Sequence, residues 1–248
     1  MKFLAVIPAR FASSRFPGKP LAKLGGKPLI QWVYEAASRD RVFGNVVVAT
    51  DHDEIAATVR EFGGHVEMTR PEHPSGTDRV AEVAERFPGV DVVVNVQGDQ
   101  PFVTTEMLTK LVAPYRAGET PDMATIACPL ASETAMSDPG SVKVLLDRHG
   151  NAIYFSRAPI PYFRERGPAP VHHHLGLYAY RRDFLRRFTT LPPTPLEQCE
   201  QLEQLRALEH GYRIRISLVA QSIIEVNTPA DLRAAEVVLA NARALQAA

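Results

Sequence analysis

Short apolar runs alternate with amphipathic stretches through the first half of the chain, and this alternation limits the possible folds more than any other feature. The runs are rich in β-branched residues: FLAVI (3–7), NVVVAT (45–50), HVEMT (65–69) and DVVVNVQ (91–97). Such runs are typical of strands that are covered on both faces, as in a parallel sheet. Between them, apolar residues recur at helical spacing over 30–37, 55–62 and 80–87. The pattern predicts an α/β fold with a doubly wound, mostly parallel sheet.

The second half has a different pattern, which predicts a smaller antiparallel β insertion. VKVLLD (142–147) and AIYFS (152–156) flank a turn and predict a β-hairpin. A proline-rich bend follows over 158–170, and LGLYAY then predicts a strand. Because side chains alternate along a strand, His174 and Tyr178 are expected on one face of it.

The end of the chain predicts helices and shows no clear domain boundary. Leucines at helical spacing predict a helix over 196–211, and Thr228 is placed to cap a last helix. The sequence contains no repeat, linker or low-complexity tract. We therefore expect a single α/β domain over 1–248, with 130–195 as a β-rich insertion that could also serve dimerisation.

Charge and cysteine content exclude several classes of protein. Lys and Arg number 28, and Asp and Glu number 28, so that no global basic field is present for nucleic acid. Two cysteines make no disulfide framework and indicate a reducing compartment. The apolar run at the N-terminus ends at Pro8, which is too short for a signal peptide or a membrane span. We expect a cytoplasmic protein without membrane or nucleic-acid partners.

A cationic loop follows the first predicted strand. Residues 7–28, IPARFASSRFPGKPLAKLGGKP, carry five cations and no acid: Arg10, Arg15, Lys19, Lys23 and Lys27. The Walker pattern and the dinucleotide fingerprint are both absent. In an open α/β sheet, ligands bind at the carboxyl ends of the strands, where this loop begins. Backbone amides and flexible cations there suit a polyphosphate, whereas a solvated basic loop is the alternative.

An aspartate follows the fourth apolar run. Asp99 comes directly after the predicted strand, and Gly98 lets the backbone approach closely at that point. A polyphosphate at neutral pH usually carries a divalent cation, and hard cations prefer carboxylate oxygen. Asp99 is therefore a candidate ligand, although an ordinary turn aspartate is the simpler interpretation.

Several motifs occur in order along the whole chain and resemble one family. They are IPARFASSRFPGKPL (7–21), ATD (49–51), HPSGTDR (73–79), VNVQGD (94–99), YFSRAPIP (154–161), HLGLYAYR (174–181) and LEQLRAL (202–208). Together they resemble the 3-deoxy-D-manno-octulosonate (Kdo) cytidylyltransferases. The resemblance implies a nucleotide-diphospho-sugar transferase-like fold, CTP and Kdo as substrates, Mg²⁺ as cofactor and a homodimer. It implies the synthesis of CMP-Kdo for lipopolysaccharide, by attack of the sugar's anomeric 2-hydroxyl on the α-phosphorus of CTP.

The resemblance also implies site residues, position by position. The nucleotide would be bound by Pro8, Ala9, Arg10, Arg15, Lys19, Ser75, Gly76 and Gln97. Arg10, Lys19 and Asp99 would be catalytic, and Asp99 and Asn227 would bind the metal. The sugar would be bound by Arg157, His174, Tyr178, Glu203 and Gln204.

Simpler interpretations exist for several of these residues. Arg15 could form a surface ion pair, and Arg157 could be an ordinary arginine at a hairpin edge. Glu203 and Gln204 could be exposed helix positions. The three histidines at 172–174 suggest zinc only weakly, since no third ligand has the spacing of known sites.

Two positions depart from the family pattern. The family usually has QGDEP where this chain has QGDQP, with Gln100, and commonly has aspartate at the position of Asn227 in EVNTPADL. Asparagine offers a carbonyl oxygen without a charge. We expect Asn227 to bind the metal directly or through water, with Glu225 partly replacing the missing charge, so that Asn227→Asp should bind Mg²⁺ at least as well.

Two other functions stay open at this stage. CMP-sialic acid synthetases share the first-loop motif, and a non-catalytic nucleotide-binding regulator could have kept the fold without turnover. The departure at Asn227 is the only feature that favours the regulator. The sequence does not separate Kdo from an amino-substituted analogue.

Overall fold

The computed structural model describes residues 1–12, 15–39, 42–165 and 171–247, and has an α/β fold with a mixed, mostly parallel sheet. The strands are β1 (Phe3–Ala9), β2 (Lys23–Leu24), β3 (Lys27–Pro28), β4 (Asn45–Thr50), β5 (Val66–Met68), β6 (Val92–Asn95), β7 (Met123–Pro129), β8 (Lys143–Leu146), β9 (Ala152–Ser156), β10 (His172–Arg181) and β11 (Ile214–Leu218). The helices are α1 (Leu29–Ser38), α2 (Asp53–Glu61), α3 (Gly76–Glu85), α4 (Thr105–Arg116), α5 (Glu133–Ser137), α6 (Arg182–Phe188), α7 (Pro195–Glu200), α8 (Gln204–Glu209) and α9 (Pro229–Ala247).

The predicted elements of the first half are confirmed. The four apolar runs form β1, β4, β5 and β6, and the three helical patterns form α1, α2 and α3. The side chains of β1 from Phe3 to Ile7 are all buried, as the continuous apolar run predicts. The sequence analysis made no prediction for α4, β7 and β11. In α4 an internal proline, Pro114, interrupts the helical pattern, and in β7 alanine and threonine interrupt the apolar run.

The chain divides into two compact units. The first unit comprises Lys2–Val90, Val94–Thr105 and Ile223–Ala248. Its strands β1, β4 and β5 lie in this order, and β4 pairs in parallel with both β1 and β5. The carboxyl ends of these strands therefore lie at one edge, where a ligand site is expected.

The second unit comprises Met1, Asp91–Val93 and Glu106–Ser222. Its strand β7 lies between β11, to which it is parallel, and β10, to which it is antiparallel. The predicted hairpin is confirmed as β8 and β9, which pair antiparallel, and β8 also pairs with β10. The single-domain organisation with an insertion over 130–195 stays a prediction, and residues 166–170 of the proline-rich bend lie outside the described residues.

The helix predicted over 196–211 is interrupted. Gln201 has a positive φ of 53° and ends α7, and α8 begins at Gln204. An ion pair between Arg206 and Glu197, with an N–O distance of 2.5 Å, spans the break. Leucine spacing survives a short interruption, which is why the periodicity did not reveal it. The last helix is confirmed, since Asp231 N donates to Thr228 Oγ1 at 3.2 Å at its start.

A small apolar cluster supports the loop after β1 in the first unit. Its buried members are Leu24, Leu29, Val226, Ala235 and Leu239. Phe16 and Trp32 pack against them, and so join the cationic loop to the segment that precedes α9. Because Val226 is fully buried, its neighbours Glu225 and Asn227 are held beside the loop. Among the described residues, none of the helices combines the length and apolar character needed to cross a membrane.

Candidate active site

The cations of the loop after β1 have different partners in the first unit. Lys27 Nζ lies 2.6 Å from Glu35 Oε2 and 4.3 Å from the centre of the Trp32 ring, so this cation stabilises α1 locally. Lys19 Nζ instead lies 2.7 Å from Asp99 Oδ2. Arg15 Nη2 donates to Asn227 Oδ1 at 3.4 Å. The loop thus directs two cations towards the candidate metal ligands.

Gly98 permits a close approach of backbone segments at Pro8, and Gly76 also lies against this proline. A Cβ atom at Gly98 would lie 3.1 Å from the carbonyl oxygen of Pro8, closer than side chains normally tolerate. A Cβ atom at Gly76 would lie 3.6 Å from the Pro8 ring. The ends of β1 and β6 and the start of α3 therefore meet, and the expected close backbone approach at Gly98 is confirmed.

The conformation of the loop depends on Gly18. It has a φ of +68°, in the left-handed region, and its N–H donates to Phe11 O at 2.9 Å. The Phe11 ring stacks on His52 with centroids 4.0 Å apart. These contacts set the position of Lys19, which follows Gly18 directly, and the sequence analysis did not identify them.

Ser75 and Gly76 form the N-terminus of α3. Ser75 Oγ accepts a hydrogen bond from Asp78 N at 3.1 Å and donates one to Asp78 Oδ2 at 2.6 Å. The Ser75 hydroxyl is therefore engaged in capping the helix, and contacts to a base would fall to the backbone groups of this loop. Gln97 Nε2 donates to the buried Asn95 Oδ1 at 3.2 Å.

A buried arginine in α3, Arg79, connects this helix to the ends of two strands, and the sequence pattern did not indicate this role. Arg79 is completely buried, and its Nη2 lies 3.0 Å from Asp51 Oδ2 at the end of β4. Its Nη1 donates to Thr69 Oγ1. Arg79 thereby links α3 to residues that follow β4 and β5. The occurrence of Asp51 and Arg79 in two of the quoted motifs was the only available signal.

The side-chain oxygen atoms beside Lys19 and Arg15 suit a magnesium ion that is shared with a nucleotide. Asp99 supplies a carboxylate and Asn227 a carbonyl oxygen, and both are hard ligands. Within the described ranges, no three His, Cys, Asp or Glu side chains are grouped to hold a metal. Mg²⁺ commonly binds to one or two protein ligands together with phosphate oxygens and water, so these residues fit it.

Three of the predicted sugar-binding residues come together in the second unit. The rings of His174 and Tyr178 have centroids 5.5 Å apart, and Tyr178 Oη donates to Gln204 Oε1 at 3.1 Å. A regular strand would separate residues four apart by about 13 Å. The register of β10 against β7 shifts between Leu175 and Tyr178, and this bulge shortens the distance.

Thr125 determines which ring nitrogen of His174 carries the proton. Thr125 Oγ1 lies 2.6 Å from Leu177 O and 3.0 Å from His174 Nε2. A hydroxyl has one proton, which Leu177 O accepts, so Thr125 accepts a hydrogen bond from His174 Nε2–H. The Nδ1 atom of the neutral ring is consequently an acceptor. Thr125 was not among the predicted site residues.

Gln204 and Glu203 differ in their surroundings. Gln204 is only 2% exposed, so the alternative that it is an exposed helix position is wrong. Its Nε2 atom is buried and has no hydrogen-bond partner among the described residues. Glu203 lies at the start of α8, with Oε1 3.9 Å from Arg206 Nη2.

Arg157 is engaged by backbone carbonyl groups. Its Nε donates to Glu200 O at 2.8 Å, its Nη1 to Pro139 O at 2.9 Å and its Nη2 to Gln201 O at 3.4 Å. The Glu200 carboxylate also accepts from Arg157 N at 2.9 Å and from Ser156 Oγ at 2.5 Å. Arg157 is thus more than an ordinary arginine at a hairpin edge, and its contact with a sugar carboxylate stays a prediction.

Burial of His174 predicts a pH-dependent stability. Desolvation, and secondarily the charge of His173, lowers the pKa of His174 to about 3. Between about pH 6.5 and this value the unfolded chain binds a proton that the folded chain does not, so stability falls as pH falls. We expect a loss of about 1.4 kcal/mol for each pH unit from this residue. Urea unfolding of the unaltered chain and of His174→Gln, from pH 4.5 to 7, measures it as a difference in slope.

The exposed His149 provides the control for this measurement. His149→Gln also removes one histidine, but from a turn of the hairpin rather than from the buried strand. The slope of His149→Gln should match that of the unaltered chain. If His174→Gln also kept that slope, His174 would not be the neutral buried residue described above.

Comparison with known proteins places the chain in a family. Residues 4–216 match the cytidylyltransferase family. A 3-deoxy-manno-octulosonate cytidylyltransferase from Acaryochloris marina (strain MBIC 11017) is 60% identical over 232 residues, which cover 94% of this chain and 95% of that protein. The chain belongs to the 3-deoxy-manno-octulosonate cytidylyltransferase family. The enzyme of this name from Geobacter sulfurreducens is 49% identical, over 94% of this chain and 97% of its own.

Solved structures agree with membership of the 3-deoxy-manno-octulosonate cytidylyltransferases. A CMP:2-keto-3-deoxy-manno-octonic acid synthetase complexed with CTP superimposes with a TM-score of 0.93 at 41% identity, covering 97% of this chain and 99% of that one. A cytidylyltransferase from Leptospira borgpetersenii shares the fold, with a TM-score of 0.65 at 14% identity, over 97% of this chain and 87% of its own. The resemblance and the fold class inferred from the motifs are thereby confirmed, whereas the roles of single residues stay predictions.

Proposed function

We propose that this chain transfers CMP from CTP to Kdo and releases pyrophosphate. The observation that carries the proposal is the pairing of Lys19 with Asp99 at 2.7 Å, in a chain 60% identical to a Kdo cytidylyltransferase. The anomeric 2-hydroxyl of the sugar attacks the α-phosphorus and loses its proton to water, and the bond from that phosphorus to the oxygen that bridges to the β-phosphate breaks. The product, CMP-Kdo, is the activated sugar for lipopolysaccharide synthesis.

The residues of the first unit bind the nucleotide in this proposal. Arg10 and Lys19 neutralise the triphosphate and the charge that develops on pyrophosphate as it leaves, and Arg15 assists them. Such a reaction depends mainly on positioning and on charge stabilisation in the transition state. Backbone groups at Ser75 and Gly76 recognise the cytosine edge, and a mismatched base would leave a buried polar group unpaired.

Asp99 and Asn227 are the residues that would hold Mg²⁺, with the oxygens of the triphosphate as further ligands. A bound magnesium ion would supply charge neutralisation for the phosphates. Lys19 restrains one oxygen of Asp99 and leaves the second carboxylate oxygen for other interactions. Arg15 in the same way holds the carbonyl oxygen of Asn227 near the loop.

The residues of the second unit bind the sugar acid in this proposal. The Nδ1 atom of His174 accepts a hydrogen bond from a sugar hydroxyl, because Nε2 is committed to Thr125. The buried Nε2 of Gln204 donates to another, because its Oε1 is already engaged by Tyr178. Arg157 and Glu203 complete the set, with Arg157 as the proposed partner of the sugar carboxylate.

Pyrophosphate release measured over a matrix of nucleotides and acid sugars tests the proposal. CTP with Kdo and Mg²⁺ should give many turnovers, whereas UTP, ATP and GTP should give few. Sialic acid and an 8-amino analogue of Kdo are the informative alternatives among the sugars. Greater turnover with sialic acid than with Kdo would identify sialic acid as the substrate. Binding of CTP without turnover on any sugar would indicate a regulator.

A homodimer and a cytoplasmic location stay predictions. Exposed apolar side chains of the second unit are compatible with self-association: Ile153, Tyr162, Phe163 and Leu218.

A further inference from the structure

The carboxylate of Glu225 accepts hydrogen bonds from two side-chain amides, one on each oxygen. Oε1 accepts a hydrogen bond from Gln100 Nε2 at 3.1 Å, and Oε2 accepts one from Asn227 Nδ2 at 3.1 Å. The backbone brings these segments together, because Val226 N donates to Asp99 O at 2.9 Å. One carboxylate therefore connects Gln100, in the segment after β6, with Asn227, in the segment before α9.

The chemistry of the carboxylate decides the orientation of the Asn227 amide. An ionised carboxylate accepts hydrogen bonds and cannot donate them, so Asn227 must turn its NH₂ group towards Glu225. Its carbonyl oxygen consequently points the other way, where it lies 3.4 Å from Arg15 Nη2. Rotation of the amide by half a turn would exchange oxygen and nitrogen, and would present a donor to the cationic loop.

We propose that Glu225 is a positioning residue, which fixes the Asn227 amide with its oxygen facing Arg15 and the metal-bearing triphosphate. The inference rests on the proposed function and goes beyond it, because Glu225 acts through Asn227 and need not touch the nucleotide. In this arrangement Asn227 offers the oxygen that a hard cation needs.

Packing restrains the backbone beside Glu225 and its hydrogen-bond partner Gln100, whereas the Glu225 side chain is accessible to solvent. Gln100 is 1% exposed and Val226 is completely buried, so the anchor of Glu225 and its own backbone are held by the core. The Glu225 side chain itself is exposed. A substitution at this position can therefore remove the two acceptors without opening a cavity.

The effect of Glu225 on ligand binding should be reversed when residue 227 is aspartate instead of asparagine. An aspartate at this position presents an oxygen in either orientation and needs no positioning. It would also place a carboxylate opposite Glu225 at hydrogen-bond distance, where two like charges repel each other. Glu225 should thus support ligand binding beside Asn227 and oppose it beside aspartate.

Calorimetric binding of CTP in the presence of Mg²⁺ tests this reversal on the full chain. Glu225→Ala should weaken binding about three- to tenfold, the equivalent of one net hydrogen bond. In the Asn227→Asp background the same Glu225→Ala substitution should cause no loss, or a gain. Glu61→Ala removes an exposed carboxylate from α2 and should change neither background.

Comparison of the two backgrounds separates positioning from structural support. A structural role predicts the same loss of CTP affinity in both backgrounds, and that result would overturn the inference, whereas the thermal midpoint should fall for either role because the buried Gln100 Nε2 loses its acceptor. If the unaltered chain failed to bind CTP, the proposed function would be overturned as well. Turnover on a sugar other than Kdo would change only the proposed function.

Discussion

Replacement of Asp99 by asparagine is expected to lower kcat by at least about 10²- to 10³-fold, the usual cost of removing one preorganised group that stabilises charge in a transition state. The carboxylate lies 2.7 Å from Lys19 Nζ and is a ligand for the metal in the proposed function. The amide keeps the shape of the side chain but loses the charge. Steady-state pyrophosphate release with CTP, Kdo and Mg²⁺ measures the effect, and circular dichroism checks the fold.

Asp53→Asn is the matched control for this substitution. Asp53 is an exposed residue in the first turn of α2, and its replacement removes the same charge from the first unit. Its kcat should remain within about twofold of the unaltered chain, since surface substitutions change little. An Asp99→Asn variant that kept most of its turnover would show that the metal is bound elsewhere.

Replacement of Arg79 by methionine is expected to destabilise the fold by about 3 kcal/mol, the lower end of the cost of breaking a buried ion pair, because Arg79 is completely buried whereas the Asp51 side chain is 19% exposed. Arg79 is completely buried, and its partners Asp51 and Thr69 follow two different strands. For a chain of this length the thermal midpoint should fall by about 10 °C. Differential scanning calorimetry measures the change.

A double substitution distinguishes the lost charge pair from lost packing. Asp51→Leu combined with Arg79→Met removes both charges, and should recover more than half of the stability that Arg79→Met loses. If the double variant were less stable than Arg79→Met alone, the contribution of Arg79 would come from its packed side chain and not from the ion pair.

The first half of the fold was predictable because its signals are local. The buried strand β1 and the helix α1 can each be predicted from the pattern of their own apolar residues. The hairpin of β8 and β9 was predictable for the same reason, since its strands flank a short turn. The break at Gln201 was not, because a single positive φ leaves the leucine spacing almost unchanged.

The sequence predicted which residues belong to the candidate site better than it predicted the hydrogen bonds and ion pairs between them. The order of the motifs identified Lys19, Asp99 and Asn227 by resemblance to a family. Nothing in the local pattern indicated that Gln100 would bond to Glu225, 125 positions away in the chain. The alternative that Gln204 is exposed was wrong. Burial of a helix position depends on which other elements pack against the helix, and the sequence of a short helix does not indicate those elements.

By itself the sequence determined the α/β class, the cationic loop after the first strand and the family, since each depends on residue types in a fixed order. The tertiary structure alone decided how the charges are paired: Lys27 with Glu35, Lys19 with Asp99, and Glu225 between two amides. The physical reason is that hydrogen bonds and ion pairs act over about 3 Å, whereas the partners lie up to 125 residues apart.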